Sequence, residues 1–366
     1  MQVLKKNLLG LTQDELEVFF LDLGHKKFRA KQLLQWMHQK YVVDFDLMSD
    51  LSITLRDELK SIASISLPEI ISETSSNDGT VKWLFNSGVG QAIETVFIPE
   101  TDRGTLCISS QVGCALDCSF CATGFQGFNR NLTSSEIISQ VCFANSLLPK
   151  RKNGLSAITN VVFMGMGEPL ANYRNVLKAL RILLSDNAYG LSKRRVTLST
   201  SGIVPNLNSL ADECNVSLAV SLHAPEDELR DTLVPINKIH PIAELLEACW
   251  VYAKKHSNRY ITFEYVMLKD INDSILHAKK LAKLLKNKPA KVNLIPFNPF
   301  SESDYQCSSS EQIRKFQSKL RELGILVTTR KTRGDDIDAA CGQLAGKVNN
   351  KVLTRLSEKK RRAVVL

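Results

Sequence analysis

The chain has 366 residues, 44% of them hydrophobic, and 47 lysines and arginines against 38 aspartates and glutamates leave it with a net charge of +9. No run approaches the roughly 18 apolar residues of a membrane span, and Asp14, Glu15 and Glu17 interrupt the N-terminus where a signal peptide would be uncharged. We therefore expect a cytoplasmic protein that uses no membrane, and its basic excess favours a polyanionic partner such as nucleic acid.

Residues 1–65 are predicted to form a small helical accessory domain. Thr12-Gln13-Asp14-Glu15 has the form of a capping box and opens an amphipathic helix that stops near Gly24. Two more helices are expected over residues 29–40 and 52–61. The basic surface of this domain either contacts RNA or is merely solvated.

Residues 66–99 change to a strand pattern and predict a short β-hairpin extension. The two expected strands cover residues 80–85 and 91–98, and the loop between them covers residues 86–90.

Strands and helices alternate from residue 100 to residue 334. Strands are predicted over residues 106–110, 160–164, 195–199, 216–221, 261–267, 291–296 and 326–330. Helices are predicted over residues 134–145, 172–184, 242–255, 274–285 and 309–323. This rhythm indicates an α/β fold whose parallel sheet curls into a full or partial barrel, with the chemistry at the carboxyl ends of the strands.

Three cysteines follow the first of these strands in the spacing C-x3-C-x2-C: Cys114, Cys118 and Cys121. Three thiolates can hold three irons of a 4Fe–4S cluster and leave the fourth iron open for a small molecule. A structural zinc site usually has four ligands in two separated pairs, but Cys107 is available as a fourth ligand and keeps zinc as an alternative. With nine cysteines, an odd count, a disulfide framework is not expected in a cytoplasmic chain.

The second predicted strand ends in Met164-Gly165-Met166-Gly167-Glu168-Pro169. Glycines there allow backbone carbonyls to approach an ammonium group closely, and the Glu168 carboxylate can neutralise it. Together with the cysteine loop, this motif resembles the radical S-adenosylmethionine superfamily, whose partial barrel carries a 4Fe–4S cluster that binds S-adenosylmethionine.

Residues 198–202, 221–224, 293–299 and 333–344 are further similar to the RlmN family of dual-specificity RNA methyltransferases. The resemblance extends from the N-terminal helices to about residue 346. The residues that it implies as S-adenosylmethionine contacts are Gly167, Glu168, Ser199, Ser221, Leu222, His223 and Asn298.

The family resemblance also implies a reaction: methylation of adenine carbon 2 in 23S rRNA and in the adenosine next to the anticodon of some tRNAs. Two S-adenosylmethionines are used per methylation, the first to methylate Cys341 and the second to make a radical that takes hydrogen from the S-methyl group. A covalent RNA–protein adduct follows. Glu94 then matches the proton acceptor, and Cys107 matches the thiol that releases the adduct as a disulfide.

Several alternatives stay open. The same fold methylates adenine carbon 8 in related enzymes, and a non-catalytic RNA-binding protein with a structural metal is a rival from another class. Cys107 and His223 can also be ordinary residues of a packed core, and Glu94 can pair with a lysine across the hairpin. Asp335, Asp336 and Asp338 form a cation site, a solvated turn or an ion pair with Arg333, and the last two interpretations are favoured.

Residues 335–366 are expected to form a C-terminal segment that carries Cys341 and, from Lys347 onward, a basic tail. The tail either grips phosphates or is a solvated end. We also expect a monomer that receives electrons from a flavodoxin-type donor.

Overall fold

The computed structural model describes residues 5–151, 154–257 and 259–345, so the predicted basic tail lies outside the described residues. The helices are α1 (Gln13–Asp22), α2 (Phe28–His38), α3 (Ile53–Ile62), α4 (Ala122–Gln126), α5 (Ser134–Leu147), α6 (Tyr173–Leu184), α7 (Val204–Glu213), α8 (Asp227–Leu233), α9 (Ile242–Lys255), α10 (Ile275–Leu285) and α11 (Ser310–Glu322). The strands are β1 (Lys6–Asn7), β2 (Ala63–Ser64), β3 (Ile70–Ser75), β4 (Val81–Gly88), β5 (Gln91–Pro99), β6 (Gly104–Cys107), β7 (Gln111–Gly113), β8 (Phe128–Asn131), β9 (Asn160–Phe163), β10 (Val196–Thr200), β11 (Ser217–Ser221), β12 (Ile261–Met267), β13 (Ala290–Pro296) and β14 (Leu326–Thr329).

One ten-stranded sheet organises the molecule, in the order β14-β13-β12-β11-β10-β9-β6-β5-β4-β3. Its seven strands from β14 to β6 run parallel, and each is joined to the next by a connection that contains at least one helix. These seven correspond to the seven predicted strands. The strand order is open, with β14 and β3 at its two ends, so the α/β partial-barrel prediction is confirmed.

The predicted hairpin is larger than expected. Strand β4 continues to Gly88, so that Val89 and Gly90 are the turn, and β3 adds a third antiparallel strand. Strand β5 in turn pairs with β6 through Val96↔Cys107 and the three pairs that follow. The extension is therefore continuous with the sheet that carries the cysteine loop.

The N-terminal helices form as predicted. The Thr12 side chain accepts the Glu15 N–H, while the Glu15 carboxylate accepts the Thr12 N–H at 3.0 Å, which completes the expected capping box of α1. Phe20 of α1 and Leu33 and Met37 of α2 are buried in the core. Strands β1 and β2 pair with each other and join the two ends of this region.

His38, in the last turn of α2, is fully buried and, among the described residues, neither of its ring nitrogens has a hydrogen-bond partner. Its ring lies 5.0 Å from the ring of Tyr189. Burial lowers the pKa of His38 to about 3. Below about pH 6.5 the unfolded chain therefore takes up a proton that the folded chain refuses, so stability falls as the pH falls through this window.

We expect the buried His38 to lower the free energy of unfolding by about 2 kcal/mol when the pH falls from neutral to about 5. Urea unfolding of the wild type and of His38→Phe at both pH values would measure this. The variant should lose that part of the pH dependence, and an unchanged difference between the two pH values would contradict the assignment.

Candidate active site

The cysteine loop begins at a position that only glycine can occupy. Strands β7 and β8 pair antiparallel at the base of the loop. Gly113 has φ of +73°, and a Cβ there would lie 1.8 Å from the Gly127 carbonyl oxygen. The next residue, Cys114, donates its N–H to that same oxygen at 3.0 Å. A tight backbone contact thus determines where the loop leaves the sheet.

The three thiols of the loop are close enough to influence one another. Burial, followed by repulsion from Cys118 and Cys121, raises the pKa of Cys114 well above its ordinary value. Burial raises the pKa of Cys118 to about 12, and Cys121 adds to the shift. The Leu116 N–H donates to the Cys114 sulfur at 3.4 Å. Cys118 is buried, and Cys114 and Cys121 are partly buried. Thiols held together in this way suit a positively charged metal group, which would stabilise all three as thiolates.

A cluster fits these thiols better than one metal ion. Among the described residues, no three His, Cys, Asp or Glu side chains converge where a single ion would bind. In a 4Fe–4S cluster each thiolate binds a different iron, so the sulfurs need not converge on one point. Cys107, the alternative fourth zinc ligand, interacts instead with Cys341.

Glu168 lies in a fixed position beside this loop. Its carboxylate accepts the Leu170 N–H at 2.9 Å and the Thr200 hydroxyl and Ser201 N–H, both at 2.8 Å. Gly167 before it has φ of +97°, and a Cβ there would lie 2.4 Å from the Gln111 side chain. Burial raises the pKa of Glu168, and the hydrogen bonds oppose the shift. The three donors hold the carboxylate rigidly at the cavity wall.

A cavity at the carboxyl ends of the parallel strands unites most of the predicted cofactor contacts. It has about 790 Å³ of empty space, part of which is open to solvent. The predicted contacts that line it are Gly167, Glu168, Ser199, Ser221, His223 and Asn298. Leu222 is the exception, because it is fully buried outside the lining and its N–H donates to the Glu264 carbonyl.

His223 faces the cavity as a neutral ring. It has φ of +60°, and the Val266 N–H donates to its Nδ1 at 3.0 Å, which leaves the ring proton on Nε2. Burial, with a smaller contribution from Arg230, lowers the pKa of His223 to about 3. The Phe120 ring meets it edge-on at 4.5 Å. This arrangement suits hydrogen bonding to a ligand.

Cys341 lies in the wall of the same cavity. The Asn298 side-chain amide donates to the Cys341 carbonyl at 3.0 Å, and the Gly342 carbonyl accepts the Ala122 N–H at 2.7 Å. The C-terminal segment is therefore held on one side by the loop after β13 and on the other by α4, directly after the cysteine loop.

Cys107 and Cys341 are brought together, and both are free thiols. Cys107 is the last residue of β6, and burial, followed by the neighbouring Cys341, raises its pKa to about 12. Burial also raises the pKa of Cys341, whereas the Arg330 guanidinium lowers both. The Arg330 cation thus lies near the sulfurs of Cys107 and Cys341, the two thiols that the family resemblance pairs.

Glu94 does not line that cavity. It lines a separate groove together with Lys82, Asp338 and Gln343. Lys82 Nζ, on the neighbouring strand β4, lies 3.9 Å from a Glu94 carboxylate oxygen, which is the pairing across the hairpin that the sequence left open. Glu94 is two residues before Val96, which pairs with Cys107. The side chains of Glu94 and Cys107 therefore leave the sheet on the same face.

The acidic group after Arg333 is arranged differently from the ion pair that the sequence suggested. Asp336 accepts hydrogen bonds from the Ser76 hydroxyl and the Asn77 N–H and side-chain amide. Arg333 lies 3.6 Å from Asp78. These contacts join the C-terminal segment to the turn between β3 and β4.

Sequence reasoning missed four polar residues around the cavity. Glu264 and Arg330 line it. Their sequence positions offered a signal, because Glu264 is a charged residue within the apolar strand β12 and Arg330 is one at the end of β14. Ser201 also lines the cavity, inside a motif quoted only for its family resemblance. Arg230 lies among Asp227, Glu228 and Asp231, a pattern typical of an exposed helix face, although it is fully buried.

Comparison with known proteins identifies the family. The profile of the ribosomal RNA large subunit methyltransferase N-terminal domain matches residues 6–65, and that of the radical SAM superfamily matches residues 108–282. The dual-specificity RNA methyltransferase RlmN of Pseudomonas fluorescens (strain SBW25) is 56% identical over 97% of this chain and 93% of that protein. The chain belongs to the RlmN family.

A solved structure agrees with this RlmN membership. The crystal structure of a radical SAM methyltransferase from Sphaerobacter thermophilus has a TM-score of 0.87 and 44% identity, and the match covers 93% of this chain and 99% of that one. As a radical SAM methyltransferase of the RlmN family, the chain uses a 4Fe–4S cluster and S-adenosylmethionine. In the described part of the chain, no helix has the length and apolar character to cross a bilayer.

Proposed function

We propose that this enzyme methylates carbon 2 of a specific adenosine in 23S rRNA and of the adenosine next to the anticodon in some tRNAs. One observation carries the proposal: Cys341 lies in the wall of the cavity that also contains Cys121, Gly167 and Glu168, with Cys107 close to it. The net charge of +9 suits an RNA substrate.

The proposed assignments follow the geometry. Cys114, Cys118 and Cys121 would hold the cluster, and Gly167, Glu168, Ser199, Ser221, His223 and Asn298 would contact S-adenosylmethionine. When bound, these two groups supply an organic radical that can abstract hydrogen. Such chemistry suits adenine carbon 2, which is an sp2 carbon with no lone pair to attack an ordinary methyl donor. Leu222 would act through its backbone, since its side chain is outside the cavity.

Cys341 is the proposed methyl carrier. Its thiol accepts a methyl group, and the S-methyl group then gives up a hydrogen atom and bonds to carbon 2 of adenine. The Asn298 amide donates to the Cys341 carbonyl at 3.0 Å, and the Ala122 N–H donates to the next carbonyl, that of Gly342, at 2.7 Å. These two bonds keep the carrier sulfur in the cavity wall. Arg330 favours the thiolate that must accept the methyl group.

Cys107 is the proposed resolving thiol. Once carbon 2 has lost its proton, the unpaired electron of the adduct would return to the one-electron carrier that supplied it. The Cys107 thiolate then bonds to the sulfur of Cys341, the electron pair of the Cys341 sulfur–carbon bond stays with the carbon, and that carbon takes up a proton to become the methyl group of the departing base. This exchange needs a thiolate, but burial holds the pKa of Cys107 at about 12. The positive charge of Arg330 opposes that shift, and this makes the neighbouring cation useful in the release step as well.

Glu94 is the proposed base that removes the proton from carbon 2 of the adduct. It lies on the same sheet face as Cys107, in a groove next to the C-terminal segment. Glu94→Gln should slow product release roughly a hundred-fold or more and let the adduct accumulate, because the amide cannot take the proton. A gel shift of labelled RNA would measure this; Glu73→Gln, on the exposed strand β3, is the control. Normal turnover by Glu94→Gln would contradict the role.

The remaining assignments concern the surroundings of the enzyme. We propose a cytoplasmic monomer that receives electrons from a flavodoxin-type donor.

Anaerobic reconstitution with iron and sulfide tests the proposal. The protein should gain iron–sulfur absorption, form 5′-deoxyadenosine and place a methyl group on carbon 2 of adenosine in 23S rRNA and tRNA, as mapped by mass spectrometry. Methylation at carbon 8 would favour the related enzymes, whereas a colourless protein that binds RNA without cleaving S-adenosylmethionine would overturn the proposal.

A further inference from the structure

Arg230, on α8, is a fully buried cation behind the cavity. Its guanidinium donates to the carbonyls of Leu222 at 3.1 Å, Ser221 at 2.9 Å and Ser201 at 2.7 Å, and to Asn237 Oδ1 at 2.8 Å. The three carbonyls belong to the ends of β10 and β11, where the cofactor contacts begin. Arg230 therefore ties two strand ends of the site together.

All four of these acceptors are neutral oxygens. Asp227 and Asp231 act on Arg230 as more distant negative charges, and the Asn237 amide donates to their carboxylates at 2.9 and 2.7 Å. Burial lowers the pKa of Arg230 to about 10, so the group stays charged at neutral pH. Burying a cation costs several kcal/mol unless an opposite charge is near, and these bonds supply no direct countercharge.

The cysteine loop would bring negative charge close to Arg230 once its thiols are cluster ligands. A Cys118 thiolate raises the pKa of Arg230, as a neighbouring negative charge does. The loop also contacts the helix of Arg230 directly, because the Ser119 N–H donates to the Leu233 carbonyl at 3.2 Å.

Ser201 connects Arg230, Glu168 and Cys118. Its carbonyl accepts from Arg230 at 2.7 Å and its N–H donates to Glu168 at 2.8 Å. Hydrogen bonding by its hydroxyl lowers the pKa of Cys118 and of Glu168, against the larger effect of burial. A hydroxyl has one proton to donate. Since Glu168 already accepts from three other donors, the Ser201 proton is available to the sulfur.

We propose that Ser201 and Arg230 are positioning residues that raise the reduction potential of the 4Fe–4S cluster. The inference rests on the proposed role of Cys118 as a cluster ligand. Three thiolates outweigh the positive charge of the cluster core, and an added electron makes the assembly more negative still. A buried cation and a hydroxyl bond to sulfur both favour that reduced state. Arg230 would simultaneously fix the carbonyls beside S-adenosylmethionine.

The test is a redox titration of reconstituted protein, followed by the electron paramagnetic resonance signal of the reduced cluster. We compare the wild type with Ser201→Ala, Ser201→Thr, Arg230→Gln and Arg230→Lys. Ser139→Ala removes a buried hydroxyl on α5 and serves as the control. Iron and sulfide content and S-adenosylmethionine affinity are measured on each variant.

Arg230→Gln should lower the ratio of reduced to oxidised cluster at the wild-type midpoint potential by about ten-fold, which is 59 mV for one electron. Ser201→Ala should lower this ratio by a smaller factor. Ser201→Thr and Arg230→Lys should keep the ratio close to the wild-type value, and Ser139→Ala should leave it unchanged. If Arg230→Gln does not fold, Ser201→Ala against Ser201→Thr decides. Unchanged potentials in variants with full clusters overturn the inference alone; a wild type that assembles no cluster overturns the proposed function instead.

Discussion

Cys341→Ala should reduce RNA methylation roughly a hundred-fold or more, because the proposed reaction has no other route for the methyl group. The variant keeps all three cysteines of the loop and the carboxylate of Glu168. We therefore expect it to assemble a cluster and to bind S-adenosylmethionine, and to leave RNA without a covalent link to protein. Mass spectrometry of RNA and of the cysteine-bearing peptide would measure both outcomes.

Cys307→Ala is the matched control for this substitution. Cys307 is a partly buried free thiol in the segment after β13, outside the cavity lining, and its loss should leave methylation near the wild-type rate. Cys341→Ala that still methylates RNA at a comparable rate would show that the methyl group reaches the base by another route.

Cys107→Ala should stop the reaction one step later. The carrier would still be methylated and would still bond to the adenine, but no second thiol would be available to take the Cys341 sulfur. The expected product is a stable RNA–protein adduct, seen as a slow band on a denaturing gel, and turnover should fall roughly a hundred-fold or more. Nuclease treatment followed by peptide mass spectrometry should locate the adduct on Cys341.

Cys142→Ala controls for the loss of a buried thiol, since Cys142 is fully buried on α5. It should accumulate no adduct. Free, fully methylated RNA from Cys107→Ala at the wild-type rate would exclude the disulfide step, and absence of both adduct and product would place Cys107 earlier in the reaction.

The alternation of strand and helix patterns was enough to predict the parallel part of the fold, because buried parallel strands are short apolar runs between amphipathic helices. All seven parallel strands, β6 and β9 to β14, were found in that way. The exposed strand β3, Ile70–Ser75, was missed because none of its residues is buried, so that it carries no apolar alternation. The loop predicted over residues 86–90 began three residues too early, since the last three residues of β4 are not buried either.

The site was predictable where chemistry leaves a local pattern, as in the spacing of Cys114, Cys118 and Cys121 or the glycines before Glu168. It was not predictable where distant segments meet. The residues around Arg230 give no sign that it is buried. The carbonyls that stabilise it lie at the ends of β10 and β11, outside the helix that carries it. Likewise, the separation of Glu94 from the cavity depends on how the C-terminal segment lies between the two.

The junction of β5 with β6 restricts how such an enzyme can be retargeted. Four residue pairs join these strands, so the antiparallel region cannot be exchanged like a detachable module. Cutting there would expose unpaired strand edges on both halves, which invites aggregation. A designer seeking another RNA target would keep the backbone and vary the side chains of the exposed strand β3 that lie outside the groove of Glu94.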